Sequence, residues 1–287
     1  MVQDVQNVFE KISSEYYGLT ASEKKTADFV LASQGDTQFM SISELADASG
    51  VAEATISRFC RRLGYKGYNA FKLAVANSAA QSKSWGNPLS GEVHSDDSME
   101  DVCRKLLHTN QDALNQTMEM IRPEAIRQAA DLLEQSERVL CMGQGGSMLM
   151  ASEAAHLFST VSNKFTPISD SHMQAVAATM MGKKDTILFF SYSGSTLAMM
   201  ETLQLAARRG GKVILVTRFP NSPGAELADV VLQCGANESP LQLGSVAARI
   251  AQLYLMDVLF SEFCRRNLDE YRDCRSRIAE ALAEKHV

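Results

Sequence analysis

Five short apolar runs in the second half of the chain, at 138–142, 164–168, 186–191, 212–217 and 229–233, alternate with segments of mostly helical character. Strands this uniformly apolar must be covered on both faces. That requirement, with helices between them, is met by a parallel sheet built from strand–helix–strand crossovers. Most intervals are long enough for a crossover helix, whereas the connection from 217 to 229 has room for a single helical turn. The pattern predicts a five-stranded, doubly wound α/β domain. A polar-rich helix capped by Ser98 and a second one starting at Pro123 lead into it. A long apolar helix from Leu243 to about Arg266 and a charged amphipathic one from Leu268 follow it.

The first 77 residues differ in kind. Helical periodicity runs throughout, and two capping boxes are legible, with Thr20 three positions before Glu23 and Ser41 three before Glu44. This part is expected to be all-helical. Between about 77 and 97 the chain turns small and polar, broken by Gly86, Pro88 and Gly91, where helical order is expected to end. The resulting organisation is a helical domain over 1–77, a linker over 78–97 and an α/β domain over 98–287.

Within the helical domain, positions 41–51 suggest a short helix and a glycine-containing turn, and positions 52–63 a second helix. Ile56, Phe59, Cys60 and Leu63 make an apolar stripe on that second helix at i, i+3, i+4, i+7. Between Ala54 and Gly91 there is no Asp or Glu, yet Arg58, Arg61, Arg62, Lys66, Lys72 and Lys83 all fall there. A helix, a tight turn and a basic helix form the pattern of a double-stranded DNA reader.

Bulk charge narrows the reading. With 28 Lys and Arg against 34 Asp and Glu, the net charge is −6, so contact with nucleic acid must come from this local patch and not from a generally basic surface. The six cysteines form no C-x-x-C pair, which points away from a zinc cage or disulfide framework and toward free thiols in a reducing cytosol. Signal-peptide features and membrane-spanning apolar stretches are not seen, so a cytoplasmic protein with no membrane partner is expected. No metal or cofactor is expected.

Two loops follow strands at the sheet edge where open α/β folds bind ligands. Residues 143–147 read Gly-Gln-Gly-Gly-Ser, and residues 191–196 read Ser-Tyr-Ser-Gly-Ser-Thr. Glycine admits a close anion, exposed helix amides point at it, and hydroxyls add donors without charge. The Gly143 loop can equally be explained by close packing. The four hydroxyls of the second exceed what a helix cap requires. Neither loop completes a Walker or dinucleotide fingerprint, so a phosphate ringed by hydroxyls is expected in preference to a nucleotide.

Over nearly its whole length the sequence resembles the RpiR-type bacterial regulators. Positions 41–46, 50–51, 54–68 and 71–72 carry the likeness to their helix-turn-helix domain. Gly143-x-Gly-x-Ser147, Ser191-x-Ser-Gly-x-Thr196, Ser222-Pro223, 228–232 and 249–253 carry the likeness to their sugar isomerase (SIS) domain. The resemblance implies a transcription factor with an all-α reader and an SIS-fold sensor. The reader would bind a partly palindromic operator and the sensor a phosphosugar effector. By position, Gly145, Ser147, Ser191, Ser193, Ser195 and Thr196 are expected around the phosphate, with Glu238 and His172 toward the sugar. A solvated loop carboxylate is the alternative for Glu238, and a helix-start or packing role for His172.

On the DNA side, Ser41, Thr55, Ser57, Arg58, Arg61, Arg62, Lys66, Tyr68 and Lys72 are the candidate contacts. Arg58 is the best placed for a base edge and the other basic residues for phosphates. Tyr65 is expected to pack, and Tyr68 to pack or bind a phosphate. Where the family commonly has Ser after Val51, this chain has Ala52 followed by Glu53, which removes a helix cap and can alter operator preference. A homodimer or homotetramer is expected, because paired readers match paired half-sites. The apolar Leu243–Phe263 stretch can serve as that interface or be covered within its own domain. The competing reading is a phosphosugar isomerase or lyase with an appended helical domain, in which Glu238 or His172 would have to move a proton. No catalytic residue is assigned, because that reading leaves the helix-turn-helix without a purpose.

Overall fold

The computed structural model describes residues 7–82, 93, 95–235 and 245–283. The chain forms two compact units, and along the sequence the first passes into the second between Thr109 and Asn110.

The first unit contains helices α1 (Val8–Glu15), α2 (Ala21–Ala32), α3 (Ile42–Ser49), α4 (Glu53–Arg62) and α5 (Tyr68–Ser82). Both capping boxes form. Thr20 caps α2 against Glu23 and Ser41 caps α3 against Glu44, each with reciprocal backbone and side-chain bonds. Gly50 ends α3 at φ 64°, a left-handed turn suited to glycine. Ile56, Phe59 and Cys60 of α4 and Leu63 at its C-cap are fully buried and join Leu45, Val30 and Phe71 in one core. Burial of each large apolar side chain is worth roughly 1.5–3 kcal/mol, which fixes α4 against α3 and α2. Tyr65 meets Phe71 edge-on at 5.6 Å and packs as expected. Helix α5 continues to Ser82, past the expected linker start at 78, because its Asn, Ser, Ala and Gln residues do not themselves break a helix.

The second unit is a five-stranded parallel sheet of β1 (Arg138–Gly143), β2 (Phe165–Ile168), β3 (Asp185–Phe190), β4 (Lys212–Thr217) and β5 (Val230–Gln233), in the order β2-β1-β3-β4-β5. Helix α6 (Met99–Met120) spans the change of unit and is followed by α7 (Pro123–Gln135). Then α8 (Gly146–Ser159), α9 (Ser171–Thr179) and α10 (Leu197–Arg209) alternate with the strands, and α11 (Val246–Arg266) and α12 (Leu268–Ala283) close the chain. One face of the sheet, with Val139, Cys141, Leu188, Phe190, Ile214 and Val216, packs on α7, α8 and α11. The other, with Leu140, Met142, Ile187, Phe189, Val213 and Leu215, packs on α9 and α10. Successive strand residues point to opposite faces, so covering both faces accounts for the apolar runs of the central strands β1, β3 and β4, whereas edge strand β2 leaves Thr166 and Pro167 exposed. The β4–β5 connection contains one 3-10 turn, Ala225–Leu227. The apolar face of α11, with Ala251, Leu255 and Leu259, is covered within its own domain.

Chain order reverses at β1: β2 lies on one side of it and β3 on the other. The carboxyl ends of β1 and β3 therefore flank the crevice in which doubly wound sheets place their ligands.

Candidate functional site

Both predicted loops open onto that crevice. Gly143 ends β1 under the start of α8, so close that a β-carbon would stand 2.6 Å from the Ser147 carbonyl oxygen. Gly145, exposed and at φ 54°, begins α8, and Ser147 is half-buried in its first turn with its N–H donated to the Gln144 carbonyl at 3.1 Å.

The second loop is pinned from below and open above. Ser191 is buried, its N–H donates to Val216 O (2.9 Å), and its Oγ accepts from Gly194 N (3.2 Å). Gly194 turns the chain at φ 58°. Ser193, Ser195 and Thr196 are exposed. Thr196 stands at the N-cap of α10, yet it makes no side-chain cap bond. The leading amides of α10 are thus not engaged by its cap residue, and exposed hydroxyls stand beside them. That is the geometry of an anion site at a helix N-terminus.

Further residues shape the loop, of which the sequence marked only Ser222. Thr217 Oγ1 at the end of β4 donates to Tyr192 O (3.0 Å), and Arg218 N donates to the same carbonyl (3.1 Å). Ser222 lies directly under Gly194. At the exit of β5, Gly235 N donates to Thr117 Oγ1 of α6 (3.2 Å). On the β2 side, His172 is exposed in the first turn of α9. Asp170 supplies the cap there, accepting from Met173 N at 2.9 Å, so His172 is not needed for it. Glu238 lies outside the described residues.

In the first unit, α3, the Gly50 turn and α4 make a helix-turn-helix. Arg58, Arg61 and Lys66 are exposed, and Arg58 Nη2 donates to Thr55 Oγ1 (3.2 Å), which orients its guanidinium. Ser57 is half-buried. Other candidates have structural partners. Arg62 pairs with Glu23 (3.4 Å) and donates to the Gly18 carbonyl. Tyr68 donates its hydroxyl to Met40 O (2.9 Å), and Ser41 is engaged as a cap. Burial pushes the Lys72 ammonium down to about 8, with Glu44 acting in the opposite direction. Ala52 provides α4 with no side-chain cap, and Glu53 is exposed in its first turn.

All six cysteines are free, and burial pushes the Cys60, Cys141 and Cys234 thiols up to about 12. These three are neutral packing groups at physiological pH. Among the described residues no group of His, Cys, Asp and Glu is arranged to hold a metal, and no helix is long and apolar enough to cross a membrane.

Residues 6–82 match the helix-turn-helix domain of the rpiR family, and residues 132–262 match the SIS domain. The chain is 30% identical over 284 residues to an uncharacterized HTH-type transcriptional regulator of Caldanaerobacter subterraneus, covering 99% of each. This whole-length match fixes the family. The chain belongs to the RpiR family of helix-turn-helix transcriptional regulators.

Further similar proteins include regulators. The regulator HexR of Escherichia coli K12 is 30% identical, with 97% of this chain and 95% of that one covered. Among solved structures, the Vibrio vulnificus NanR protein complexed with ManNAc-6P superposes with a TM-score of 0.85 at 26% identity, over 98% of this chain and 100% of that one. A putative phosphosugar isomerase of Bacteroides fragilis superposes at 0.54 and 24% identity, over 62% of this chain and 97% of that one. That second likeness is one of fold. In this RpiR-family chain the SIS fold supplies the sheet-edge crevice and the helix-turn-helix supplies the exposed basic face of α4.

Proposed function

We propose that this regulator binds an operator through α4 and that a phosphosugar held at the carboxyl edge of the SIS sheet sets its operator affinity. The observation that carries the reading is the head of α10, where Ser193, Ser195 and Thr196 are exposed around leading amides that the cap residue Thr196 does not engage. Hydrogen bonds to a phosphate dianion there would be charge-assisted, roughly twice as strong as neutral ones. The ManNAc-6P complex of the similar NanR protein supports a sugar phosphate as the guest.

In this reading Ser147, Ser191, Ser193, Ser195 and Thr196 hold the phosphate end beside Gly145, while His172 and Glu238 face the sugar. Arg58 reads a base edge, with Thr55 orienting it. Arg61, Lys66 and Lys72 meet phosphates, and Ser57 lines the same face. Ser41, Arg62 and Tyr68 act by holding the reader together. The reader comprises residues 1–77 and the sensor 98–287. The protein works in the cytoplasm as a homodimer or homotetramer on a partly palindromic operator, without catalysing isomerisation. Ligand control then requires only that the phosphosugar favour one arrangement of the assembly, and DNA must alter ligand affinity by the same factor.

The test is thermal stability of the purified protein against a panel of hexose, pentose and amino-sugar phosphates, followed by operator affinity with and without any compound that binds. A ligand at 100 times its dissociation constant stabilises by about 2.7 kcal/mol. A compound that stabilises the wild type, leaves Ser193→Ala unchanged and shifts operator affinity is the expected result. No shift with any sugar phosphate would sink the reading. Turnover of a sugar phosphate to its isomer would favour the enzyme instead.

A further inference from the structure

Among the described residues, the buried side-chain atoms near the carboxyl edge of the sheet that lack a hydrogen-bond partner include Gln144 Nε2, Gln174 Oε1 and Ser222 Oγ. Folded proteins rarely leave such atoms unmatched, and those they do leave call for an explanation. Gln174 is the most enclosed, at 0% exposure. From α9 its amide nitrogen donates to Gly143 O and to Ile168 O, both at 2.8 Å. Those carbonyls end β1 and β2. Gln174 is therefore a clasp between the carboxyl ends of two neighbouring strands.

What the clasp joins matters for the ligand. Beyond Gly143 comes the loop with Gln144 and Ser147, and beyond Ile168 comes the turn with Asp170 and His172. The Ser191–Thr196 loop follows β3, on the other side of β1 from β2. The clasp thus sits on the β2 side of the crevice, away from the head of α10. Only a neutral amide suits this place. It offers two N–H donors to two carbonyls without burying a charge, whereas Met keeps the volume without donors and an ionised Glu would repel both carbonyls.

We propose that Gln174 is the positioning residue for the sugar end of the ligand. By holding the Ile168 carbonyl to that of Gly143 it fixes the turn that carries His172, while the phosphate is held at the head of α10 and by Ser147, whose N–H is bound separately to the Gln144 carbonyl. The inference rests on the phosphosugar reading and adds that the two ends of the ligand are recognised by separable parts of the crevice.

The experiment uses the full chain as wild type, Gln174→Met and Gln174→Glu. Each is titrated with inorganic phosphate and with glucose 6-phosphate, fructose 6-phosphate and N-acetylmannosamine 6-phosphate. In Gln174→Met, affinity for the tightest-binding sugar phosphate is expected to fall at least tenfold while that for inorganic phosphate stays within twofold. General damage to the domain would weaken both together. In Gln174→Glu the sugar phosphate is expected to bind poorly at pH 8 and to recover as pH falls. A buried carboxyl has a raised pKa, and once protonated it can again donate to one carbonyl; wild type should show no such recovery.

Equal losses for both ligands in Gln174→Met, or no loss, would overturn the proposal, as would a pH-independent Gln174→Glu. If Gln174→Met does not fold, Gln174→Glu compared at pH 6 and pH 8 gives the same ratio. If wild type binds none of these sugar phosphates more tightly than inorganic phosphate, the phosphosugar reading falls and this inference falls with it. That result is visible without any variant.

Discussion

A β-carbon on Gly194 would stand 2.0 Å from the Ser222 hydroxyl oxygen and 2.6 Å from its Cβ. Gly194 also has φ 58°, a conformation that costs an L-residue about 1–2 kcal/mol. Gly194→Ala is therefore expected to lose at least about 2 kcal/mol in urea unfolding, since steric displacement adds to the backbone strain. Adding Ser222→Gly removes the atoms in the way, so the double variant should recover part of that loss. Simple additivity of the two changes would show that the contact does not limit the loop.

Ser191 and Ser193 sit two residues apart and should behave differently. Ser191 is buried and its hydroxyl accepts from Gly194 N, so Ser191→Ala is expected to cost about 1–2 kcal/mol of stability as well as ligand affinity. Ser193 is exposed. Its replacement by Ala should leave unfolding nearly unchanged and weaken phosphosugar binding roughly tenfold, the worth of one charge-assisted bond. Calorimetric titration together with denaturation separates the two.

Arg62 and Arg58 make a second contrasting pair. Arg62 reaches Glu23 and the Gly18 carbonyl. Burial raises the Glu23 carboxyl, but hydrogen bonds from Thr20 and the Arg62 and Arg58 charges outweigh it, leaving the group below its usual range. Because Arg62 is 41% exposed, Arg62→Ala is expected to cost only about 0.5–1 kcal/mol of stability. Arg58→Ala should instead leave stability intact and cost about 1–3 kcal/mol of operator affinity, with relaxed preference at one base position.

The Lys72 ammonium, lowered to about 8 by burial, holds its proton at pH 7 and loses it as pH rises through 8. If it meets a DNA phosphate, operator affinity should decline from pH 7 to pH 9, approaching tenfold per pH unit for each reader, and Lys72→Arg should flatten the profile. Folding responds with the opposite sign. The unfolded chain keeps this proton up to about pH 10.4, so the Lys72 contribution to stability rises with pH between those two values. A flat binding profile in wild type would remove Lys72 from the interface.

Ala52 precedes α4 in an extended conformation, φ −77° and ψ 150°, which suits an N-cap. Ala52→Ser is expected to stabilise the chain by about 1 kcal/mol by supplying the missing acceptor. Unchanged urea unfolding would mean that the first amides of α4 are already well satisfied by solvent.

Sequence alone determined what depends on neighbouring residues and on periodicity. Thr20 and Ser41 cap their helices because the partners Glu23 and Glu44 lie three residues away, within reach of the same turn. The central strands were legible because covering both faces of the sheet demands continuous apolar runs, the edge strands because their shorter runs alternate with helical segments, and the loops at 143–147 and 191–196 followed from their place after strands. Tertiary structure decided the rest. Arg62 meets Glu23 across 39 positions and Tyr68 meets Met40 across 28, ties within the reader that no local pattern announces. Helix α11, apolar nearly all round, buries Ala251, Leu255 and Leu259 within its own domain and leaves Leu253 exposed. Gln174 gained its role because α9 folds back over the ends of β1 and β2. Such pairings depend on which strands lie side by side, and that is fixed by how the whole core packs; no local signal encodes it.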